Sequence, residues 1–194
     1  SEMHTYHPMS IDVFKRKSNI LFHVASKLTL PPPPDGKHTP NTTGLPRRIV
    51  VNCILPMEAP SLLGGGSDGA CYQVVGVFGA TAEALAAWQA SGAASAKLFA
   101  RFAQNAPEGV LPPSGDVDVK ERLKLCPKVA NMKDLGMGWL ERYNGKPALL
   151  TKSGSVHRGD DYLEIGMNTF RFGLLTRKGI SSMLGVVSRA DLHA

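Results

Sequence analysis

The densest group of chemically capable side chains lies in residues 157–162, where a histidine, an arginine, two aspartates and a tyrosine stand within one short stretch. Ser155 precedes it, so the three residue types of a hydrolase triad occur together. Neighbours within one turn and strand rarely point at one another, and Ser155 does not stand in the GxSxG pattern of a nucleophile elbow. Two adjacent carboxylates also supply fewer oxygens than calcium requires. We therefore predict no catalytic residue and no metal site here.

The same stretch has two interpretations that the sequence leaves open. In the first, it is a turn in which an aspartate caps the backbone and Arg158 pairs with a carboxylate. In the second, the guanidinium of Arg158 and the phenol of Tyr162 contact a ligand. We carry the second interpretation as a hypothesis and add Trp139 to the candidate ligand-binding residues.

The formal net charge of +6 favours anionic partners through long-range attraction. The basic residues are spread along the chain, and they either stay scattered on the surface or converge on one face. Each converging residue would contribute about 1 kcal/mol on an anionic membrane. The candidates for such a surface are Lys15, Arg16, Lys17, Arg171, Arg177 and Lys178. The interleaved aromatic residues of an RNA-binding sheet and the helix pattern of a DNA reader are missing, so no nucleic acid is expected as a partner.

The remaining motifs predict no cofactor. The glycine-rich run at residues 64–69 is interpreted as a flexible turn, because the lysine and Ser/Thr of a phosphate-binding loop do not follow it. A dinucleotide fingerprint between a strand and a helix is missing as well. The three cysteines are Cys53, Cys71 and Cys126, and their wide spacing without zinc-ligand histidines predicts reduced, mostly buried thiols.

A chain of 194 residues, 43% of them hydrophobic, is long enough for one substantial core. Residues 1–48 contain a basic cluster and four consecutive prolines, and we predict an N-terminal arm and a proline-rich linker there. Residues 49–194 are predicted to form the domain. No apolar run reaches the roughly 18 residues that cross a membrane. The expected location is cytoplasmic or peripheral on an internal membrane.

The pattern of the domain predicts an α+β fold with a mainly antiparallel curved sheet and helices packed on one side. β-branched runs predict strands at 48–55 and 71–79. The alanine-rich residues 81–105 are predicted to be helical, with Thr81 as N-cap and a break near Gly92. The later elements are predicted as a short strand at 122–129, strands on either side of an Asn144-Gly145 turn, a turn at 157–161 feeding one more strand, and a helix after residue 171.

Residues 122–164 contain four short patterns in a fixed order, which are L-K-L-C-P, a tryptophan, G-K-P-A-L-L and H-R-G-D-D-Y-L-E. In order and spacing this segment resembles the family of the C-terminal domain of the plant protein Enhanced Disease Resistance 2. Upstream, V-V-N-C-I-L-P and C-Y-Q-V-V-G-V-F are similar to two further strands of the family. The family commonly has an aromatic residue where His157 stands.

The resemblance implies a non-enzymatic domain with a lipid-related or interaction role. In those plant proteins the domain follows a lipid-binding START domain and a phosphoinositide-reading PH domain. We therefore expect a module that binds lipid or an anionic membrane surface. The alternative is an adaptor or structural subunit whose basic N-terminal arm binds a protein partner in a larger assembly.

Overall fold

The computed structural model of the chain describes residues 5–17, 20–36, 43–60, 69–110, 123–126, 128–150, 152–186 and 192–193. The strands are β1 (His7–Arg16), β2 (Arg48–Pro56), β3 (Cys71–Gly79), β4 (Gly109–Val110), β5 (Lys124–Leu125), β6 (Lys128–Val129), β7 (Ala148–Leu149), β8 (Gly154–Arg158), β9 (Tyr162–Asn168) and β10 (Leu192–His193). The α-helices are α1 (Ala82–Ala90), α2 (Ala94–Asn105) and α3 (Leu174–Leu184), and 3₁₀ helices lie at Ala25–Lys27, Gly138–Tyr143 and Thr169–Arg171.

The main sheet contains six strands in the order β1-β3-β2-β9-β8-β4. Its pairings are antiparallel except that of β2 with β9, which is parallel. Two small sheets pair β5 with β7 and β6 with β10. The predicted α+β class is confirmed.

The predicted strands at 48–55 and 71–79 are confirmed as β2 and β3. Along β2, buried residues alternate with half-buried ones, as expected when one face of a central strand is more densely covered than the other. Val50, Val75 and Val77 are among the buried residues of these two strands. They form the centre of the core on one face of the sheet.

The predicted helical segment and its break are confirmed. The Thr81 hydroxyl accepts a hydrogen bond of 3.0 Å from the amide of Ala84, which satisfies an orphan donor at the start of α1. Gly92 has a φ of +67° and separates α1 from α2, in the left-handed region that glycine adopts at low cost. On the sheet face opposite Val50, α2 buries Ala103 against Val156.

The residues assigned to an N-terminal arm contribute a strand and a core segment. Strand β1 pairs with β3 along its whole length. Residues 20–36, here called the strap, follow β1, and Val24 and Ala25 pack on Val50 and Val75. Strand β1 was not predicted because its residues are mostly exposed, as on an edge strand, and it ends in a basic cluster typical of an arm.

The predicted strand around Trp139 is wrong. Residues Gly138–Tyr143 form a 3₁₀ helix, because Leu140 within it packs toward α3 in a small cluster that includes Met183. The predicted Asn144-Gly145 turn is confirmed by the φ of +68° at Gly145.

The strand predicted at 122–129 consists of the two short strands β5 and β6. A strand, β8, precedes the turn near residue 160, so this part of the sheet is a hairpin with β9. The glycine-rich run at 64–69 lies outside the described residues except for Gly69. In the part of the chain that the structure describes, no helix is long and apolar enough to cross a membrane.

Candidate functional site

Tyr162 connects the sheet to the strap. It begins β9, and its ring lies against Gly159, where an added Cβ atom would stand 2.1 Å from Tyr162 Cε1. The Tyr162 hydroxyl is hydrogen-bonded to Nε2 of His23 in the strap, 2.8 Å away. Burial and the nearby Glu164 carboxylate raise the pKa of the Tyr162 phenol, so it stays protonated at neutral pH. The predicted ligand-binding tyrosine therefore has a partner within its own chain.

His157 forms the other half of this contact. The imidazole rings of His23 and His157 are stacked, with 4.5 Å between their centroids and 10° between their planes. Burial, and secondly the proximity of His23, lower the pKa of His157, while Glu108 acts in the opposite direction. Nε2 of His157 is buried without a hydrogen-bond partner among the described residues. Its neutral form is therefore favoured in the folded chain.

A buried carboxylate holds the strap beneath these rings. Glu164 of β9 is fully buried. The amides of Val24 and Ala25 donate to its two oxygens at 3.0 and 2.8 Å, and the side-chain amide of Asn52 donates at 3.1 Å. Burial raises the pKa of Glu164, whereas the hydrogen bonds from Ala25, Val24 and Asn52 lower it. The carboxylate thus caps the short 3₁₀ helix of the strap.

The side-chain amides of Asn52 and Gln73 hold the strap at Leu21, three residues before Val24. The amide of Leu21 donates to Gln73 at 3.2 Å, and its carbonyl accepts from Asn52 and Gln73 at 2.8 and 3.0 Å. Gln73 also donates to Asn52 at 3.0 Å. This cluster was not predicted, although Asn52, Gln73 and Glu164 each stand at an inward position of an otherwise apolar strand. Such a polar residue signals a buried hydrogen-bond partner.

Arg158 caps the end of α2. Its Nε donates to the carbonyl of Ala103 at 2.5 Å, and its Nη2 donates to the carbonyl of Ala106. Its Nη1 lies 3.7 Å from the Glu108 carboxylate. A guanidinium at this place satisfies carbonyls that have no partner within the helix. The pairing of Arg158 with a carboxylate agrees with that part of the first interpretation, whereas the Asp161 carboxylate pairs with the guanidinium of Arg48. Ligand binding by Arg158 stays a prediction.

Four candidate basic residues converge at one end of the main sheet, here called the basic end, which consists of Lys15, Arg16, Lys17 and Arg171. Strand register places Arg16 opposite Cys71, and Cys71 opposite Pro56 of β2. Ile54 of β2 is opposite Asn168, the last residue of β9. Arg171 follows three residues later and therefore lies just beyond the end of the sheet at which Arg16 and Pro56 stand. Three strand spacings separate β1 from β9, or about 14 Å. Lys15, Lys17 and Arg171 are exposed and Arg16 is half-buried.

The other candidates fall into two places. Lys178 is exposed on α3, close in sequence to Arg171, while Arg177 is half-buried. Trp139 is 47% exposed in the 3₁₀ helix beside α3. Tyr162 stands at the opposite end of β9 from Arg171, about 20 Å along the strand. The basic end and the Tyr162 cluster are therefore separate.

The two best-formed depressions of the described surface are shallow and lie on the helices. One, of about 450 Å³, is lined by α1, including Trp88 and Glu83, together with Thr5. The other, of about 280 Å³, is lined by residues of α1 and α2. Neither involves Tyr162, Arg158 or Trp139, so the candidate ligand-binding residues do not share either depression.

The cysteines are free thiols. Cys71 is buried and Cys53 is half-buried, and burial raises the pKa of Cys53 to about 12. Cys126 is exposed, so the prediction of mostly buried thiols fails for this residue because β5, which precedes it, belongs to a peripheral two-stranded sheet.

These features define an α+β domain with a strapped mixed sheet and a basic end. A family model for the C-terminal region of Protein ENHANCED DISEASE RESISTANCE 2 matches residues 1–194. The chain belongs to this family, and the resemblance seen in the sequence is confirmed. A search of curated proteins and a search of solved structures each returned no match.

Proposed function

We propose that this domain is a non-enzymatic module that binds anionic membrane surfaces through the basic end. The supporting observation is the convergence of Lys15, Lys17 and Arg171, which are far apart in sequence and meet at one end of the sheet. All three are exposed. Among the described residues beyond the end of β2, Glu58 is an exposed acidic group, and the three cations outnumber it.

The size of the effect follows from the charges. Each basic residue near an anionic membrane contributes about 1 kcal/mol, so three exposed residues contribute about 3 kcal/mol. The attraction decays within a Debye length of about 10 Å at moderate salt. The binding is therefore expected to be weak to moderate and sensitive to salt.

The shallowness of the depressions supports a surface mode. The depressions on α1 and α2 are open to solvent and carry no cluster of the candidate residues. The polar cluster around Glu164 is filled by strap backbone. A lipid head group at the surface fits these observations better than an acyl chain held inside the domain.

The test compares two triple variants that lose the same charge. Lys15, Lys17 and Arg171 are changed to glutamine in the first, and Lys27, Lys97 and Arg101 in the control. All six residues are exposed. In vesicle co-sedimentation at low salt, the first variant is expected to bind about 100-fold more weakly than the wild type. An equal loss of vesicle binding in both variants would show that the net charge, and not the basic end, determines binding. If neither variant loses vesicle binding, the proposal is contradicted.

An adaptor role is the second candidate, and β1 favours it. Ile11 and Val13 are 70% and 62% exposed on this strand, which stands at the edge of the main sheet. Exposed apolar edge strands are templates for strand addition by another chain. This role becomes the leading one if the wild type binds no vesicle of any composition. A protein partner that binds the wild type through β1 is then expected to be lost in a Val13→Lys variant.

A further inference from the structure

We propose that the domain carries an apolar tip, formed by Trp139, Leu174 and Leu175, that inserts into the interfacial layer of the membrane. This proposal rests on the proposed membrane binding and adds a second component to it. The basic end supplies attraction to the surface, and the tip supplies contact with the acyl boundary.

The first observation is the exposure of consecutive leucines. Leu174 and Leu175 begin α3 and are 37% and 42% exposed. The buried residue of α3 is Gly179, one turn further on. The first turn of this helix therefore presents large apolar side chains to the surroundings, where a solvent-facing helix start usually has polar residues.

The second observation places Trp139 beside them. A Cβ atom at Gly179 would stand 2.9 Å from Leu140 Cδ1, so the 3₁₀ helix and α3 are in close contact at these two residues. Trp139 is the neighbour of Leu140 in the chain. Leu175 lies four residues before Gly179, on the same stripe of α3. Leu140 also shares a cluster with Met183 and Val186, so this contact extends along the second half of α3. Trp139 and the two leucines are thus exposed apolar side chains of two elements that pack on each other.

The third observation is the charge around the tip, and it selects a membrane as the occupant. Arg171 stands three residues before Leu174, and Lys178 stands three residues after Leu175. Both cations are exposed. Lys15 and Lys17 lie at the same end of the sheet as Arg171. Beside Trp139, the exposed Glu141 and Arg142 carry opposite charges and offset each other. Leucine and tryptophan flanked by an excess of lysine and arginine are typical of elements that lie in an anionic membrane interface.

The experiment uses tryptophan fluorescence, since the chain contains two tryptophans. Wild type and Trp139→Phe are titrated with anionic vesicles that contain lipids brominated near the head group. Trp88, which contacts Phe99 and Tyr6, remains as the reporter in the variant. Quenching and a blue shift are expected for the wild type and not for Trp139→Phe.

A second variant tests the leucines. Leu174→Gln/Leu175→Gln is expected to bind anionic vesicles about 10-fold more weakly than the wild type while keeping its salt dependence. Leu98→Gln is the control, because Leu98 is 54% exposed on α2. Thermal unfolding of each variant checks that it folds.

The outcomes separate the two proposals. If the wild type sediments with vesicles but Trp139 is not quenched and the double leucine variant binds normally, the tip is overturned and the basic end stands. If the wild type does not sediment at all, both proposals fail.

Discussion

The stacked rings of His23 and His157, 4.5 Å apart, join the strap to β8 at the point where the Tyr162 hydroxyl also binds His23. Two protonated imidazoles at this distance would repel each other. The charged groups around the pair are Glu164 beneath it, Glu108 before β4, and Arg48, Asp160 and Asp161 near Tyr162. We therefore expect the attachment of the strap to depend on pH.

The first prediction concerns the pH dependence of stability. The pKa of His157 is lowered in the folded chain, so the unfolded chain binds more protons just below the ordinary imidazole pKa of about 6.5. The stabilisation is present above that value and is lost as the pH falls through the folded-state pKa. The free energy of unfolding in urea is expected to fall as the pH is lowered below about 6.5.

A variant pair isolates this contribution. His157→Asn is expected to flatten the slope, whereas His7→Asn, at an exposed position of β1, should leave it unchanged. Glu164 has the opposite effect on the pH dependence of stability, because its pKa is raised in the folded chain. Its contribution to the free energy of unfolding is lost as the pH rises through that raised pKa. Both variants keep Glu164, so the difference between them reports on His157. Parallel slopes in the two variants would refute this account.

The second prediction concerns the buried carboxylate. Glu164→Gln replaces one acceptor oxygen with an NH₂ group facing the amides of the strap. The free energy of unfolding is expected to fall by about 2 kcal/mol, and hydrogen exchange at Val24 and Ala25 should accelerate. Glu58→Gln is the exposed control. Unchanged protection of these two amides would show that Glu164 does not hold the strap.

The third prediction separates the two interpretations of Arg158. Arg158→Lys keeps the charge but loses the forked contact with the carbonyls of Ala103 and Ala106. A loss of about 1–2 kcal/mol in stability is expected, with vesicle binding unchanged. Lys97→Arg, a charge-conserving change at an exposed position of α2, serves as control. A stable Arg158→Lys protein with weakened vesicle binding would instead favour a ligand-binding Arg158.

The fourth prediction concerns the glycine under Tyr162. Gly159→Ala places a methyl group where the Tyr162 ring lies, so the ring must move and its bond to His23 is strained. The expected cost is about 1–3 kcal/mol. At Gly138, the first residue of the 3₁₀ helix Gly138–Tyr143, an added Cβ meets nothing within 4 Å, and Gly138→Ala should have little effect. Equal unfolding midpoints for the two variants would argue against the close packing of the ring on Gly159.

Much of the sheet could be predicted from the sequence because β2 and β3 are central strands with strong β-branched patterns. Thr81 marked the start of α1 through its capping chemistry. The edge strand β1 could not be predicted in this way, since its residues are largely exposed and carry no core pattern. The residues predicted as one strand at 122–129 divide into β5 and β6. The small sheets depend on long-range pairing rather than on local propensity.

The candidate site was predicted in part. Lys15, Lys17 and Arg171 were identified as cations, but only the register of β1, β3, β2 and β9 brings them to one end. The roles of Asn52, Gln73 and Glu164 depend on the strap crossing the sheet, which no local pattern indicates. Tyr162 and Arg158 were singled out by type, and their contacts within the chain became clear only from the fold.

The most direct test of the central claim is co-sedimentation of the wild-type domain with vesicles of graded anionic lipid content at low and high salt. The account predicts binding that rises with anionic content and falls when salt is added. Binding that is equal on neutral and anionic vesicles, or no binding at any composition, would contradict it.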